Sequence, residues 1–207
     1  MKKQTFNGST MLSPVPVVLV TSKNKKGESN VFTVAWTGIM SSEPPLLYIS
    51  IRPERLSHEY ITETMEFTVN LPSKNLVKLV DYCGVKSGRK NNKIKECNFT
   101  LKKGKKVKSD YIEECPINIE CKVKNILKPG GSHDIFISEI LCTHINEDLI
   151  DSNQKIHFDW ADLIVYSHGE YFPINKKRIG SFGFSVGKKK KNDNIIHKNS
   201  KKNSNLK

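Results

Sequence analysis

The amino-acid sequence predicts a mainly β protein, a barrel of six or more strands with short helical inserts. Three observations predict this fold class. Apolar runs with the two-residue alternation of strands recur along the chain, as in residues 31–36 and 117–126. Helical spacing occurs only in short stretches. Neither GxGxxG nor GxxxxGKS/T is present, which argues against a dinucleotide-binding or P-loop enzyme.

The first half of the barrel is predicted from three apolar runs. Residues 15–21 predict one buried strand, which a polar turn closes. Residues 31–36 alternate like a half-buried strand, whereas residues 46–51 are almost wholly apolar and predict a strand buried on both faces. Residues 37–45 are predicted as a loop, because two prolines stop strand pairing and Gly38 allows close backbone approach.

The second half begins with a short helix predicted over residues 57–64, with Ser57 as its N-cap. A well-alternating strand follows over residues 66–71, and residues 76–82 have near-helical spacing. The later elements are predicted as a turn-rich loop over residues 84–92, strands over residues 117–126 and 133–145, and a last hairpin over residues 163–166 and 170–172.

Composition divides the chain into a body, residues 1–186, and a tail, residues 187–207. The tail carries eight lysines and one acid, a net +7 of the chain's +13. A segment with so few apolar residues cannot offset its ordering entropy, so we predict one folded domain followed by a disordered lysine-rich tail. The body has no basic stripe with interleaved aromatic residues, so nucleic-acid binding is not expected of it.

The cysteines and the N-terminal residues indicate the cellular compartment in which the protein works. The five cysteines are odd in number and form no CxxC pair, which argues against a disulfide framework or a zinc ribbon, and we predict no metal site. Cys83, beside Gly84, is the one cysteine that could belong to a functional site. Met1 is followed by no apolar signal region, and the apolar run at residues 15–20 is too short to span a membrane. These features predict a cytoplasmic protein without membrane insertion.

Residues 29–65 combine the features of an anion site. Arg52 directly follows a predicted strand, and the next helix is predicted to begin at a hydroxyl residue, Ser57. Free N–H groups at a helix N-terminus favour a phosphate, and an arginine can add a charge-assisted pair. Asn30 and Trp36 supply an amide and a flat aromatic surface nearby in sequence. Two interpretations stay open from this spacing: a site for a phosphorylated planar heterocycle, or an ordinary hairpin with a solvated arginine.

A series of short motifs occurs in order along residues 10–186. The motifs are Ser29-Asn30-Val31, Trp36-Thr37-Gly38, Pro44-Pro45, Ile49-Ser50-Ile51-Arg52, Ser57-His58, Glu66-Phe67, Cys83-Gly84, Ser87-Gly88-Arg89, Gly131-Ser132-His133-Asp134 and Gly180-Ser181-Phe182-Gly183. The ordered set resembles the flavin reductase-like family, closest to its flavoredoxin branch, whose fold is an FMN-binding split barrel. The motifs cover nearly the whole body.

The resemblance implies a homodimer that binds FMN near the subunit interface. By position, Asn30, Trp36, Thr37 and Gly38 would line the isoalloxazine ring and ribityl chain; Ser50, Ile51, Arg52, Ser57 and His58 would hold the phosphate end; and Ser87, Gly88, Arg89 and Lys93 would approach from a loop. The chain departs from the family in that loop, where an acidic residue, a lysine and a phenylalanine often follow Ser-Gly-Arg and this chain has Lys90-Asn91-Asn92-Lys93-Ile94.

His133 is the candidate catalytic residue, because it follows a pair of glycines and could reach the site. The alternative is a histidine that caps the start of a strand beside Asp134. No acid–base triad is visible, and none is required, because a flavin itself carries out hydride or electron transfer.

Three functions stay open at this point. The first is an NADH- or NADPH-dependent flavin or ferric reductase. The second is a flavoredoxin-like electron carrier that binds FMN without a dedicated substrate. The third is a nucleic-acid or membrane-surface binding protein that uses the basic tail, although a tail that is merely solvated is the expectation.

Overall fold

A computed structural model describes residues 1–175 and 177–186. Residues 1–175 belong to one compact unit, and residues 177–186 belong to a second. The predicted disordered tail, residues 187–207, lies outside the described residues. The domain boundary at residue 186 and the tail's behaviour therefore stay predictions. Within the part of the chain that the structure describes, no helix is long and apolar enough to cross a membrane.

The described residues contain twelve strands and three α-helices. The strands are β1 (Val15–Pro16), β2 (Val18–Lys23), β3 (Ser29–Val34), β4 (Thr37–Ser42), β5 (Pro45–Ile51), β6 (Glu66–Leu71), β7 (Leu101–Lys102), β8 (Tyr111–Ile112), β9 (Ile117–Leu127), β10 (Asp134–Ile145), β11 (Ile164–Ser167) and β12 (Glu170–Pro173). The α-helices are α1 (Leu56–Thr64), α2 (Val77–Val85) and α3 (Lys93–Glu96), and single 3₁₀ turns occur at Lys74–Leu76, Glu147–Leu149 and Phe158–Trp160.

Seven strands form one antiparallel sheet in the order β3-β2-β6-β9-β10-β5-β4. Its two edge strands, β3 and β4, are consecutive in the chain, with only Ala35 and Trp36 between them. The sheet must therefore curl until its edges approach, which gives a barrel that is split where β3 ends and β4 begins. The mainly β barrel with short helical inserts is confirmed. Two small sheets, β1-β11-β12 and β7-β8, lie outside the seven-stranded sheet.

The strand alternation that the sequence predicts explains the core. Along β6, Phe67 and Val69 point into the barrel, where they pack with Ile49 and Phe136. Each of these side chains is buried, which stabilises the fold by about 1.5–3 kcal/mol per residue. A second cluster forms outside the barrel, where helix α2 covers β3. Its buried members include Leu19, Val31, Val80, Cys83, Cys97, Phe99, Ile112 and Cys115.

A polar layer covers the other face of β6 and β9. Asn70 donates to the carbonyl of Leu19 at 3.0 Å and accepts from the backbone N–H of Ile112 at 2.9 Å. The buried carboxylate of Glu120 accepts hydrogen bonds from three consecutive backbone N–H groups, those of residues 105, 106 and 107, and pairs with His144. These bonds hold residues 104–112 against the sheet, because buried polar groups must find partners.

Three strand predictions in the first half of the barrel were wrong. Residues 37–42, predicted as loop, form β4, because the prolines interrupt pairing only at the Glu43-Pro44 turn and Pro45 begins β5. Strand β5 is not buried on both faces: Leu47, Ile49 and Ile51 are buried, and the residues between them are partly exposed. Residues 15–21 form two strands in different sheets, not one, since β1 pairs with β11 and β2 with β3.

Both predicted helices are present, but each begins one residue away from its predicted first residue. Helix α1 begins at Leu56 after Arg55, which makes no side-chain cap. Ser57 therefore lies in the first turn rather than at the N-cap, and its hydroxyl accepts from Asn30 at 2.7 Å. Helix α3 was not predicted, because four residues are too few for a periodic pattern. The last hairpin is confirmed, with positive φ angles at His168 and Gly169 in its turn.

Candidate functional site

A cavity of about 310 Å³, called here the split cavity, opens where the barrel is split. The end of β3, the end of β5 and the turn before α1 form most of its wall, and the β11–β12 hairpin completes it. Its lining residues include Thr33, Ala35, Trp36, Ser50, Ile51, Arg52, Arg55, Gly84, His133, Tyr166 and Tyr171. One cavity therefore brings together Trp36, Ser50, Ile51, Arg52 and His133, which the sequence had proposed as site residues.

Trp36 also faces a second cavity of about 560 Å³, called here the proline-side cavity. The two cavities share Ala35, Trp36, Ser50 and His133, so they adjoin along these residues. The second cavity has largely apolar walls, which the N-terminal segment at Pro14–Pro16 and Tyr48 help to form. The arrangement offers a polar chamber beside a more apolar one, with an indole ring at their common border.

Positive charge gathers in the split cavity. Arg52 and Arg55 both line it. The Arg52 side chain is 53% exposed and lies 3.9 Å from Glu54, a loose pairing. Burial lowers the pKa of His133, and the charge of Arg52 acts in the same direction. The His133 ring is therefore neutral at pH 7, and its Nδ1 lies 2.8 Å from the Ser132 hydroxyl.

Lys93 is the most unusual charge near the site. Only 3% of the residue is exposed, and its Nζ donates to the carbonyl of Cys83 at 3.0 Å. Burial lowers its pKa to about 8, and the nearby charge of Arg55 acts in the same direction. None of the ion pairs within residues 1–175 and 177–186 includes Lys93. Because lysine is almost never fully buried without a counter-charge, the position indicates an anionic ligand.

The surroundings of Lys93 also suit an anion. Lys93 lines a third cavity of about 440 Å³, called here the loop cavity, with Asn30, Gly88 and Arg89. A Cβ atom at Gly88 would lie 2.4 Å from the Asn30 side-chain oxygen, so only glycine lets this loop approach β3 so closely. Asn30 in turn bonds Ser57 in the first turn of α1. That turn has no side-chain cap, and the N–H of His58 donates to the Arg55 carbonyl at 3.0 Å, so the N–H groups of Leu56 and Ser57 are the ones left to bind a ligand.

Comparison with known proteins gives a direct match. The model of the flavin reductase like domain family matches residues 10–175. The chain belongs to the flavin reductase-like family. An uncharacterized protein of Archaeoglobus fulgidus is 33% identical over 175 residues, which are 84% of this chain and 96% of that protein. The resemblance that the motifs suggested is thereby confirmed.

Two solved flavoredoxins have the same fold. The flavoredoxin of Desulfovibrio vulgaris (Miyazaki F) matches with a TM-score of 0.82 and 26% identity, over 89% of this chain and 100% of that one. The flavoredoxin of Methanosarcina acetivorans matches with a TM-score of 0.80 and 27% identity, over 90% and 100%. The split barrel of the flavin reductase-like family is therefore the fold of this protein as well.

Several residues that the family resemblance proposed are engaged elsewhere. His58 pairs with Asp134 at 2.9 Å and packs edge-on against Phe136, so it ties α1 to β10. Arg89, which lines the loop cavity, also pairs with Glu59 at 3.0 Å. Three further predicted residues make local contacts. Thr37 donates to the carbonyl of Tyr48, Gly38 packs against the Tyr48 ring, and the Ser87 hydroxyl accepts from the N–H of Arg89.

The residues of the split cavity that sequence reasoning missed include Arg55, Gly84, Tyr166 and Tyr171. The sequence could have indicated Arg55, because it lies three residues after Arg52. It was not proposed because the helix was predicted to begin at Ser57. The two tyrosines belong to the last hairpin, far from residue 52 in sequence. The pairing of β11 with β1 and the hydrogen bond from Tyr171 to Asp81 bring that hairpin to the cavity.

Proposed function

We propose that this protein is an FMN-binding flavoprotein that takes electrons from NADH or NADPH and passes them to a small acceptor, as a flavin or ferric reductase does. The observation that carries the proposal is Lys93, which is buried with no ion-pair partner among the described residues and lies in one cavity with Asn30 and the start of α1. A phosphate there would supply the missing counter-charge and would accept hydrogen bonds from free backbone N–H groups. Family membership makes FMN the phosphate-bearing group to expect.

The residues present fit FMN at both of its ends. Lys93, Arg52, Arg55 and the first-turn N–H groups of α1 would hold the phosphate. Trp36, Ser50 and His133, at the border of the two cavities, would contact the ring. Bound FMN supplies hydride and single-electron chemistry, so the chain needs no nucleophile of its own.

The side chains around the split cavity would control charge and access. Arg52 lies beside Arg55 and adds positive charge at the phosphate end of the cavity. His133 is neutral at pH 7, so its ring can give or accept one hydrogen bond without adding charge. The proline-side cavity supplies an apolar chamber beside the ring position, suited to a nicotinamide or another planar acceptor.

A second candidate is an electron carrier of the flavoredoxin kind, without a dedicated small substrate. The likeness to two solved flavoredoxins, each matched over its full length, favours it. Both candidates need bound FMN, and they differ in whether NADH or NADPH reduces it quickly.

The absorption spectrum of the purified protein tests the proposal. After addition of FMN and removal of the excess, the protein should keep the flavin band near ~450 nm. Anaerobic NADH or NADPH should then bleach this band within seconds. A protein that takes up no FMN contradicts the whole proposal. The second candidate is favoured if the protein holds FMN and neither NADH nor NADPH bleaches the flavin band, whereas a reduced protein carrier does bleach it.

Arg52→Ala is expected to weaken FMN binding by about threefold to tenfold and to leave riboflavin binding unchanged. The effect is modest because the Arg52 side chain is half exposed, and solvent screens its charge. Quenching of flavin fluorescence during titration measures both affinities. An equal loss for FMN and riboflavin would remove Arg52 from the phosphate end.

We propose in addition that two copies pair through the edge strand β4. Ile39 on this strand is 68% exposed, and Met40 beside it is also exposed. An apolar cavity of about 340 Å³, lined in part by Ile39, Leu47 and Leu71, lies against the same strand. Exposed apolar residues on a sheet edge favour association, and the family resemblance implies a homodimer.

Ile39→Lys is expected to convert this dimer to a monomer, because it puts an unpaired charge into an apolar contact. Sedimentation velocity at micromolar concentration measures the change. Ser42→Lys, an exposed polar position at the end of the same strand, is the matched control and should stay dimeric. A wild-type protein that is monomeric with FMN bound would contradict the proposed dimer.

A further inference from the structure

Cys83 and Cys97 lie in contact inside the cluster that α2 covers. Their sulfur atoms are 3.8 Å apart, although the residues are 14 positions apart in the chain. Cys83 is 1% exposed and lies on α2, and Cys97 is 8% exposed and ends α3. A disulfide needs a sulfur separation of about 2.05 Å, so the two atoms must approach by only about 1.8 Å.

Two other contacts keep the cysteines adjacent. The Tyr82 hydroxyl donates to the Glu96 carboxylate, which joins the residues immediately before each cysteine. The Lys93 ammonium donates to the carbonyl of Cys83 and so ties α3 to the end of α2. The sulfur atoms are therefore held near each other by the fold, and a bond between them would join elements that are already docked.

We propose that Cys83 and Cys97 form a dithiol that a hydroperoxide oxidises to an intramolecular disulfide. The thiolate of Cys97, the more exposed of the two, attacks one peroxide oxygen. The O–O bond breaks, the other oxygen leaves as hydroxide or alkoxide, and Cys97 becomes a sulfenic acid. The sulfur of Cys83 then attacks the sulfur of Cys97, the S–O bond breaks, and water leaves. Two thiols and one hydroperoxide give one disulfide, one water and one further water or alcohol.

The surroundings of the thiols set the speed of this reaction. Burial raises the pKa of both thiols, that of Cys83 to about 12. The charged groups close to the pair are Lys93, which favours the thiolates, and Glu96, which opposes that of Cys97. Because few thiolates exist at pH 7, oxidation proceeds over minutes to hours rather than milliseconds.

The disulfide would close a ring around residues 84–96, the segment that carries Gly88 and Lys93. Closing a ring of this size restricts the unfolded chain, so the unfolding temperature should rise by roughly 5–10 °C. The loop cavity would also be held in one shape. This modification goes beyond the proposed function, since the disulfide can form whether or not FMN is bound.

Intact mass measurement tests the inference on the full-length protein. The reduced protein is incubated with hydrogen peroxide, remaining thiols are blocked with an alkylating reagent, and peptides are mapped. We expect a species that is about 2 Da lighter before alkylation, a peptide that links Cys83 to Cys97, and the higher unfolding temperature. A reductant should restore the original mass and the original unfolding temperature.

Two variants separate this pair from the other thiols. Cys97→Ser should abolish both the mass change and the stabilisation, whereas Cys142→Ser, which removes a more exposed thiol on β10, should leave both intact. The peptide map of the wild-type protein decides the matter if Cys97→Ser fails to fold. A map that links Cys83 to Cys115, or that contains only sulfinic or sulfonic acids, overturns the inference.

Discussion

Replacing Lys93 by methionine is expected to weaken FMN binding about 100-fold and to leave riboflavin binding within about twofold. Lys93 is buried without an ion-pair partner among the described residues, so its loss removes the charge that we assign to the FMN phosphate. Breaking a buried charge pair costs about 3 kcal/mol, which corresponds to this loss of affinity. Methionine keeps the length of the side chain, so the interior stays filled, and loss of the hydrogen bond to the Cys83 carbonyl should cost only about 0.5–1.5 kcal/mol of stability.

Lys95→Met is the matched control, because Lys95 lies on the same short helix but is exposed. Its affinity for FMN should stay within about twofold of the wild-type value. Titration with FMN and with riboflavin, followed by flavin fluorescence, gives the four affinities. A Lys93→Met protein that loses both flavins equally would show that Lys93 supports the ring or the fold instead of the phosphate.

The pH dependence of FMN affinity follows from the same residue. The pKa of Lys93 in the free protein is about 8, because burial lowers it. Below that pH the ammonium is already charged and FMN binds at full strength. Above it a proton must be taken up on binding, so the affinity should fall towards a tenfold loss per pH unit. Lys93→Met should lack this slope, and an unchanged slope in the variant would contradict the assignment.

The barrel itself could be predicted from the sequence because its strands alternate. Strand β6 has one apolar face, with Phe67 and Val69, and one polar face, with Thr68 and Asn70. The apolar face packs into the core, and the polar face is buried with hydrogen bonds such as that from Asn70 to Leu19. Strand β4 could not be predicted in this manner. Its apolar residues, Ile39 and Met40, are adjacent and exposed, so they do not alternate as in a half-buried strand. Its pairing with β5 depends on tertiary structure, which local sequence patterns do not indicate.

The candidate site was only partly predictable for a similar reason. Arg52 stood out because it lies between a strand and a helix, and in the structure it lines the split cavity. Lys93 was named through the family resemblance alone, and its burial depends on the packing of α3 against β3. His58 follows Ser57 directly, yet one helical step turns its side chain away towards Asp134. The sequence indicated the segment around Arg52 but not which of its side chains face the cavity.

Glu120→Gln is expected to lower the free energy of unfolding by about 3–5 kcal/mol at pH 7. The wild-type carboxylate is fully buried and accepts from three backbone N–H groups at 2.6–3.0 Å and from His144 at 2.5 Å. Glutamine has only one accepting oxygen, so at least one buried N–H would face an NH₂ group and lose its partner. The same bonds hold residues 105–107 against the sheet, so this segment should lose its protection from amide hydrogen exchange first.

The stability that Glu120 contributes should disappear in acid. Burial alone would raise the pKa of this carboxyl group, but the hydrogen bonds from His144 and the three N–H groups outweigh it and lower the pKa. A carboxyl group whose pKa is lower in the folded state stabilises the fold above its unfolded pKa, about 4.3, and loses that effect as the pH falls through the folded value. Urea unfolding measures the free energy of unfolding of the wild-type protein and of Glu120→Gln. The difference between the two should be constant from about pH 5 to 7 and should shrink below about pH 4.

The control variant is Glu113→Gln, which removes an exposed pair with Lys102. It should change the free energy of unfolding by less than about 1 kcal/mol at every pH. A Glu120→Gln deficit that stays undiminished at pH 3 would mean that the carboxylate charge is not what fixes this segment.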